Sequence, residues 1–360
     1  MAGEGARGGT GYSMKTDAWA HILSPSYAGR LEEQGGRGPG AFLLAQQPLH
    51  DIEVRLRLIE DYGDYRQILV PVPGVHAYID PTLVGQTLVD LVRRNNDEMA
   101  QIVERYPDRF AGFVAATPIT DADAATEEAV RSVRGLGALG VQLEEDAVNL
   151  PLHEHRYDPL FAAMDELGAG VWLHPYRLPA TPGSPAETAP FLLWQVFGWT
   201  FDTTITISRL IFAGIYDRHP GLKLIAHHGG GLIPHFSGRF EIMPAFRKVD
   251  ASGSLGEALD RLAKKPAEYF QMLYVDTAMF GGRHALRCVI DFFGTERVLF
   301  GTDAPFDTQG GSYFIPTTIE DVQSAVDSEA ERAAIFNGNI ERILGVAPTD
   351  PRPTNETEHS

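Results

Sequence analysis

The segment YDPLFAAMDELGAGVWLH, residues 157–174, contains one complete unit of the predicted fold. Its first part places apolar side chains at three- and four-residue spacing, which predicts an amphipathic helix. Gly168 follows the end of that pattern, as is common at helix carboxyl termini. A short apolar run then leads to His174, which indicates a buried strand that ends in a polar side chain.

Short apolar runs of this kind occur eight times along the chain, and helical patterns lie between most of them. Such alternation implies parallel strands joined by crossover helices. We therefore predict an α/β protein with a single (β/α)₈ barrel, and an open doubly wound sheet is the alternative. The predicted strands are residues 15–22, 66–72, 110–116, 138–143, 170–174, 222–227, 271–277 and 297–302.

Two long segments interrupt this alternation, residues 24–50 after the first strand and residues 176–198 after the fifth. Both follow strand carboxyl ends, where barrel active sites are built, and segments of this length are usually functional lids or disordered. We expect one barrel domain over residues 14–346, a flexible leader over residues 1–13 and a disordered polar tail over residues 347–360.

The composition argues against several classes of protein. The chain has 360 residues, is 44% hydrophobic and carries a formal charge of −18, which argues against binding nucleic acid or an anionic membrane. No apolar run reaches the roughly 18 residues of a membrane span, and the leader lacks the apolar core of a signal peptide. The single cysteine, Cys288, excludes an internal disulfide and favours a reducing cytoplasm.

Polar, ionisable side chains stand at the ends of otherwise apolar strands. A barrel brings all these ends to one rim, so the side chains are expected to meet there. Two imidazoles and a carboxylate with open positions suit a divalent ion such as Zn²⁺, Mn²⁺ or Fe²⁺, and a further histidine can move protons. These residues are His21, His174, His227, His228, Asp276 and Asp303.

The first strand, KTDAWAHI, contains an exception to this pattern. Trp19 lies two residues before His21 and so shares its face of the strand, where a second histidine would complete a metal-binding pair. An indole N–H is only a donor, so three protein ligands would remain, which is enough for catalytic zinc. Asp17, on the same face, is a candidate partner that orients the ligands.

Arginine side chains offer sites for an anionic substrate. The run HHGGGLIPHFSGR places three glycines before a helix start and Arg239 within that helix, where a guanidinium can bind a carboxylate or face solvent. Arg57 lies on the helix before the second strand and could bind an anion or pair with a neighbouring acid. His76 follows the second strand on the same rim and is a candidate substrate contact.

The strand with His21, the segments WLHP, AHHGGGLIPHFSGR and VLFGTDAPFD, and the order in which they occur resemble the amidohydrolase superfamily. The resemblance is to its aminocarboxymuconate-semialdehyde decarboxylase branch and covers roughly residues 14–346. It implies that His21, His174 and Asp303 are metal ligands. It also implies that His228 is the catalytic histidine and that His227 is an additional one.

The same resemblance implies that Arg57 and Arg239 bind substrate carboxylates, with Arg239 reaching in from a neighbouring subunit of a homodimer. Trp194, in the second long segment, falls near the aromatic residue that covers the substrate in this family, although packing within the loop explains it equally well. Trp19 departs from the family pattern, in which this position is normally His or Glu. We expect it to fill the space beside the metal and to contact a flat substrate.

These inferences lead to one main hypothesis and two alternatives. The main hypothesis is a metal-dependent, nonoxidative decarboxylase of a small aromatic or unsaturated carboxylic acid, with Zn²⁺ as the first candidate ion and Mn²⁺ as the second. His228, Asp303 and His227 are its candidate catalytic groups. The first alternative is a metal-dependent hydrolase or hydratase. The second is a barrel that has lost its metal through Trp19 and acts as a binding protein or a metal-free catalyst.

Overall fold

Eight parallel strands follow one another around a barrel in the order of the sequence. The computed structural model describes residues 14–35, 39–74, 82–145, 151–176 and 190–346; the predicted leader and tail lie outside these ranges. The strands are β1 Lys15–Ile22, β2 Tyr65–Pro71, β3 Phe110–Ala115, β4 Gly140–Glu145, β5 Gly170–Pro175, β6 Lys223–Ala226, β7 Tyr274–Asp276 and β8 Val298–Leu299.

The barrel closes between its last and first strands. The Ala18 N–H donates to the Phe300 carbonyl at 2.7 Å, and the Asp303 N–H donates to the Trp19 carbonyl at 3.0 Å. A parallel bridge also joins Ala20 to Ala304. The predicted (β/α)₈ barrel is therefore confirmed, and the open-sheet alternative is wrong.

Helices connect the strands and cover the outside of the barrel. Pro107 follows the end of the longest helix in the described ranges, Gly85–Arg105, and a proline cannot continue a helix because it lacks the N–H of a helix hydrogen bond. None of the helices in the described ranges combines the length and apolar character needed to cross a membrane. The helices are α1 Pro25–Glu33, α2 Pro39–Ala45, α3 Gln47–His50, α4 Ile52–Glu60, α5 Gly85–Arg105, α6 Ala122–Leu136, α7 Asp158–Leu167, α8 Thr200–Phe212, α9 Ile215–Arg218, α10 Ser237–Ile242, α11 Ser254–Arg261, α12 Pro266–Phe270, α13 Arg283–Phe293, α14 Phe314–Ala325, α15 Glu329–Ala333 and α16 Asn339–Leu344.

Alternation along each strand divides the core into two regions. Successive strand residues point to opposite faces, so one set packs inside the barrel and the other set packs against the helices. Leu143 and Leu173 belong to the large outer cluster. Trp19, Trp172 and Ile225 belong to the inner cluster, below the carboxyl ends of the strands. Residues two positions further along these strands therefore face the mouth of the barrel.

The first long segment, residues 24–50, contains five glycines, yet most of its described residues form α1, α2 and α3, so it is not a disordered loop; its role as a lid stays a prediction. Ser24 caps α1, since its hydroxyl accepts from the Tyr27 N–H at 3.4 Å. Tyr27 and Leu31 are buried in a small apolar cluster beside the barrel. Burial of these apolar side chains stabilises helices that the glycine content alone argues against.

Candidate metal centre

Four buried side chains meet at the mouth of the barrel and form what we call the metal cluster: His21, His174, His227 and Asp303. One potential ligand atom from each lies within 4.8 Å of all the others. His21 is on β1, His174 is on β5, His227 directly follows β6 and Asp303 follows β8. The cluster thus joins strands that are distant in sequence, because the parallel barrel places their carboxyl ends on one rim.

The tautomers of His21 and His174 favour the binding of a cation between the four side chains. Nδ1 of His21 lies 3.2 Å from the Pro71 carbonyl, and Nδ1 of His174 lies 2.6 Å from the Pro175 carbonyl. A carbonyl only accepts, so each Nδ1 carries the hydrogen and each Nε2 keeps a lone pair. Such a tautomer directs Nε2 toward a metal.

The Nε2 atoms of His21 and His227 are buried and have no hydrogen-bond partner among the described residues. They lie 3.2 Å and 3.3 Å from Oδ1 of Asp303. An imidazole nitrogen and a carboxylate oxygen at this distance repel each other unless a proton or a metal ion lies between them, and a divalent ion would satisfy all three atoms at once. Three imidazoles and one carboxylate are also a donor set that binds divalent metals, so the residues present fit one such ion.

His227 is held in place by Asp276, the acidic residue at the end of β7. Its Nδ1 hydrogen-bonds to Oδ2 of Asp276, whose Oδ1 accepts from the Gly229 N–H at 2.9 Å. Burial lowers the pKa of His227, but the Asp276 carboxylate outweighs it and raises the pKa to about 9. The pairing of a metal-facing histidine with a carboxylate is common around metal sites, because it orients the ring.

Asp303 is ionised despite its burial. Burial raises its pKa, but the close imidazoles of His21 and His227 outweigh burial and hold the pKa well below its usual range. The pKa of His174 is lowered well below its usual range by burial and by the neighbouring histidines. An ionised carboxylate beside neutral imidazole is the state in which both bind a metal.

His228 lies beside the metal cluster. Its Nε2 is 3.8 Å from Oδ2 of Asp303, and its Nδ1 is buried without a hydrogen-bond partner among the described residues. The family resemblance implies that His228 is the catalytic histidine and that His227 is an additional one. In the structure the two differ in position: His227 Nε2 lies among the ligand atoms, whereas His228 stands next to them with a left-handed backbone, φ 51°.

Trp19 lies beneath the metal cluster. Its ring stacks on that of His227 with centroids 4.0 Å apart and an interplanar angle of 6°. The side chain is fully buried, so the predicted contact between Trp19 and a substrate gains no support from the structure. The indole fills the space next to the ligands, below them in the barrel.

A buried hydrogen-bond network holds the backbone on both sides of the metal cluster. Asp17 accepts from the Trp19 N–H and the Thr302 N–H, both at 3.0 Å, and from the hydroxyls of Tyr65 and Thr302. Arg55, buried on α4, donates to the carbonyl of His21. Asp17 and Arg55 therefore fix the strands that present His21 and Asp303.

The remaining predicted site residues lie further from the metal cluster. Arg57 is exposed on α4, and Arg239 is exposed on α10. Trp194 is partly buried and packs edge-on against Trp199 at 5.4 Å between ring centroids. His76 lies outside the described residues. Their predicted contacts with a substrate remain predictions.

Three aromatic side chains that the sequence did not single out lie around the metal cluster. Trp199 is 6.1 Å from His174, Phe306 is 4.9 Å from His21, and Phe280 is 5.7 Å from His228, measured between ring centroids. The position of Phe306 three residues after Asp303 is the only sequence signal for it, because it too follows a strand end. Trp199 and Phe280 gave no comparable signal, since only the tertiary fold brings them to the rim.

Comparisons with known proteins agree with this architecture. A sequence profile described as amidohydrolase matches residues 16–346. Gamma-resorcylate decarboxylase of Rhodococcus jostii strain RHA1 is 30% identical over 330 residues, which cover 87% of this chain and 94% of that protein. The 2-amino-3-carboxymuconate-6-semialdehyde decarboxylase of Dictyostelium discoideum is 28% identical over 353 residues, 93% of each chain.

A solved structure extends the comparison. The dihydroxybenzoic acid decarboxylase of Polaromonas sp. JS666, with bound manganese and the inhibitor 2-nitroresorcinol, superposes with a TM-score of 0.75 at 23% identity. The match covers 94% of this chain and 98% of that one. Because the profile spans nearly the whole barrel, this chain belongs to the amidohydrolase family.

Proposed function

We propose that this protein is a metal-dependent, nonoxidative decarboxylase of a small aromatic or unsaturated carboxylic acid. The observation that carries the proposal is the metal cluster with His228 beside Asp303, at 3.8 Å from Nε2 to Oδ2. This arrangement combines a site for a divalent ion with a separate group that can move a proton. The decarboxylases among the relatives, at 28% and 30% identity, support the same reaction class.

His21, His174, His227 and Asp303 would hold the ion, whose contribution when bound would be to polarise the oxygens of the substrate as a Lewis acid. The side chains of Trp199, Phe280 and Phe306 offer faces and edges to a flat ring.

His228 in its protonated form donates a proton to the carbon that carries the carboxylate. Asp303 is ionised and would have to take up a proton before it could do the same. The bond from that carbon to the carboxylate then breaks, its electron pair returns to the conjugated system, and CO₂ leaves. His228 is buried beside the metal cluster, so the transfer takes place away from bulk water.

Product analysis tests the reaction class. We expect the protein, loaded with Zn²⁺ or Mn²⁺, to release CO₂ from at least one member of a panel of hydroxybenzoates and muconates. His228→Asn should abolish turnover while retaining the metal, and a chelator should abolish both. Mass spectrometry separates the alternatives, because a hydratase or hydrolase adds water instead of losing CO₂. Full activity in the presence of chelator would contradict any metal mechanism.

We propose Zn²⁺ as the native ion, with Mn²⁺ as the second candidate. Three imidazole nitrogens and one carboxylate oxygen form a nitrogen-rich set that zinc binds well. The Polaromonas enzyme contains manganese, which supports the second candidate. Elemental analysis of protein purified without added metal should find close to one zinc per chain; manganese in that amount would reverse the order.

We also propose that the protein is a homodimer. Residues 236–249, which include α10 and Arg239, expose several large apolar side chains, and exposed apolar surface of this kind often marks an interface. Phe246→Asp together with Ile242→Asp should yield monomers in sedimentation velocity, whereas Val84→Asp, also exposed but elsewhere, should not. The exposed fractions are 40% for Phe236, 53% for Ile242, 49% for Phe246 and 73% for Val249.

We propose a cytoplasmic location. Cys288 is the only cysteine of the chain and it is unpaired, which suits a reducing compartment. Fractionation of cells that express the full chain should recover it with cytoplasmic markers, and recovery from an oxidising compartment would contradict the proposal.

A further inference from the structure

Glu144 is a buried carboxyl at the mouth of the barrel that the proposed mechanism does not use. It lies on β4 and pairs in register with His174 on β5. Leu143 and Leu173 point outward to the helices, so the neighbouring positions 144 and 174 point inward. Glu144 therefore stands on the same face of the barrel wall as a metal ligand and at the same level.

The two oxygens of this carboxyl differ in their contacts. Oε1 accepts from the Gly74 N–H at 3.0 Å. Oε2 is buried and has no hydrogen-bond partner among the described residues, although the residue as a whole is only 4% exposed. Buried carboxyl oxygens are nearly always hydrogen-bonded, so an unpartnered one at the rim of an active site indicates a ligand group.

The surroundings of Glu144 favour a neutral partner. Burial, and to a smaller extent the charge of Glu144, raises the pKa of the Tyr27 and Tyr176 phenols, so both are neutral groups. No cation within the described residues pairs with Glu144, so a second carboxylate placed here would meet an acidic group without compensation.

We propose that Oε2 of Glu144 binds a ring hydroxyl or amino group of the substrate, and that this contact selects hydroxylated or aminated monocarboxylic acids over dicarboxylic acids. The inference rests on the proposed function and narrows its substrate class. The carboxylate end of the substrate would lie at the metal cluster. Glu144, on the neighbouring strand β4, would then accept a hydrogen bond from a substituent of the ring. Such selection combines an attractive contact for one class with repulsion of the other.

Binding to the metal-loaded protein tests this directly, because it does not depend on turnover. The probes are salicylate, its dihydroxybenzoate isomers and hydroxyisophthalate, with affinity measured by calorimetry. We expect at least one dihydroxybenzoate to bind on the order of 10- to 100-fold more tightly than salicylate, the range that a buried hydrogen bond supplies. Hydroxyisophthalate should bind more weakly than salicylate.

Two substitutions at Glu144 should separate hydrogen bonding from packing. Glu144→Leu should remove the preference for the dihydroxy isomer and leave salicylate affinity within about threefold. Glu144→Gln, which keeps the shape and a hydrogen-bonding oxygen, should retain part of the preference and bind hydroxyisophthalate more tightly. Glu128→Gln is the matched control: Glu128 is a buried carboxyl on α6, outside the barrel mouth, and its oxygens are fully partnered.

The outcomes distinguish this inference from the proposed function. If wild type releases CO₂ but Glu144→Leu and Glu144→Gln leave every affinity ratio unchanged, the role of Glu144 is wrong and the decarboxylase stands. If no CO₂ is released but the dihydroxy preference disappears in Glu144→Leu, the role of Glu144 stands and the reaction class is wrong. Equal changes in Glu128→Gln would overturn the role of Glu144, because they would indicate a general effect on the fold.

Discussion

Trp19 stands where the family resemblance leads one to expect His or Glu, and in the structure it packs inside the barrel below the metal cluster. It occupies the position two residues before His21 and backs the ring of His227, which lies among the ligand atoms. His227 thus supplies a fourth ligand group where β1 supplies only one histidine. The metal cluster therefore contains four side chains among the described residues, and not the three that the sequence predicts.

Substitution of Trp19 should affect both stability and metal affinity. Trp19→Phe removes buried volume and is expected to lower the free energy of unfolding by about 1–3 kcal/mol. It also replaces the indole behind His227 with a smaller ring that supports the imidazole less well, so metal affinity should fall. Chemical denaturation and competition with a metal-binding dye measure the two effects.

Trp172→Phe is the matched control for that experiment. Trp172 is also fully buried in the inner barrel cluster, but its indole N–H donates to the Ala18 carbonyl at 3.1 Å. It should lose stability to a similar extent with a smaller change in metal affinity. Equal losses of metal affinity in the two variants would show that stacking on His227 is not the cause.

At the scale of the elements, side-chain hydrogen bonds join β1 to its two neighbours in the barrel, just below the metal ligands. Asp17 on β1 bonds to Tyr65 on β2 and to Thr302 after β8. Burial raises the pKa of Asp17 above its ordinary value, and its four hydrogen bonds offset only part of that rise. The positions of the ligands His21 and Asp303 therefore depend on the hydrogen-bond network around Asp17, which lies deeper in the barrel.

Asp17→Asn should weaken this hydrogen-bond network. An amide nitrogen cannot accept from the hydroxyls, so we expect a loss of about 2–4 kcal/mol in the free energy of unfolding and a weaker affinity for the metal. Tyr65→Phe, which removes one of the four donors to Asp17, should have a smaller effect on both. Unchanged metal affinity in Asp17→Asn would mean that the hydrogen bonds of Asp17 do not position the ligands.

A second polar cluster joins α5, α6 and the end of β3. Glu128 on α6 accepts from Asn96 at 2.7 Å and from Arg131 at 2.8 Å and 2.9 Å, while Asn96 exchanges hydrogen bonds with the backbone of Ala116. Burial raises the pKa of Glu128, but the hydrogen bonds from Arg131 and Asn96 outweigh it, so the pKa lies below its ordinary value. This carboxylate therefore stabilises the fold only while it is ionised.

The pH dependence of stability follows from that sign. A depressed carboxyl pKa contributes stability that is fully present above the unfolded value of 4.5 and is lost as the pH falls through the lower folded value. Glu128→Gln should cost about 1–3 kcal/mol near neutral pH, and the difference from wild type should shrink below about pH 4.5. Denaturant titrations across this range measure it. Glu127→Gln, at an exposed neighbour, should change stability by less than about 0.5 kcal/mol at every pH.

At the scale of the whole molecule, the metal cluster connects both halves of the barrel. Its ligands come from β1, β5 and the residues after β6 and β8. A ligand that binds only the folded state raises its stability by mass action. The ion should therefore raise the stability of the folded barrel as well as take part in catalysis.

Metal removal should lower the thermal stability. We expect about 4 kcal/mol of stabilisation when the free metal is 1,000 times its dissociation constant, seen as a higher melting temperature in calorimetry. His174→Ala should remove most of this shift. A shift that persists undiminished in His174→Ala would show that the ion stabilises the protein from another site.

The sequence by itself determined the barrel, its strand order and the convergence of His21, His174 and Asp303 on one rim. These follow from local periodicity and from the geometry that parallel barrels impose on strand ends. The helical character of residues 24–50 did not follow, because apolar burial there outweighs the local preference of the glycines.

Only the tertiary structure decided which member of the doublet at 227 and 228 faces the ligands, and which aromatic side chains surround them. The inward orientation of His227 depends on its extended backbone and on Asp276 from the next strand, 49 residues away in sequence. Trp199 and Phe280 reach the rim through the packing of helices and loops that no local pattern encodes. Strand periodicity fixes the level of a side chain in a barrel, whereas its neighbours across the barrel are fixed by long-range packing.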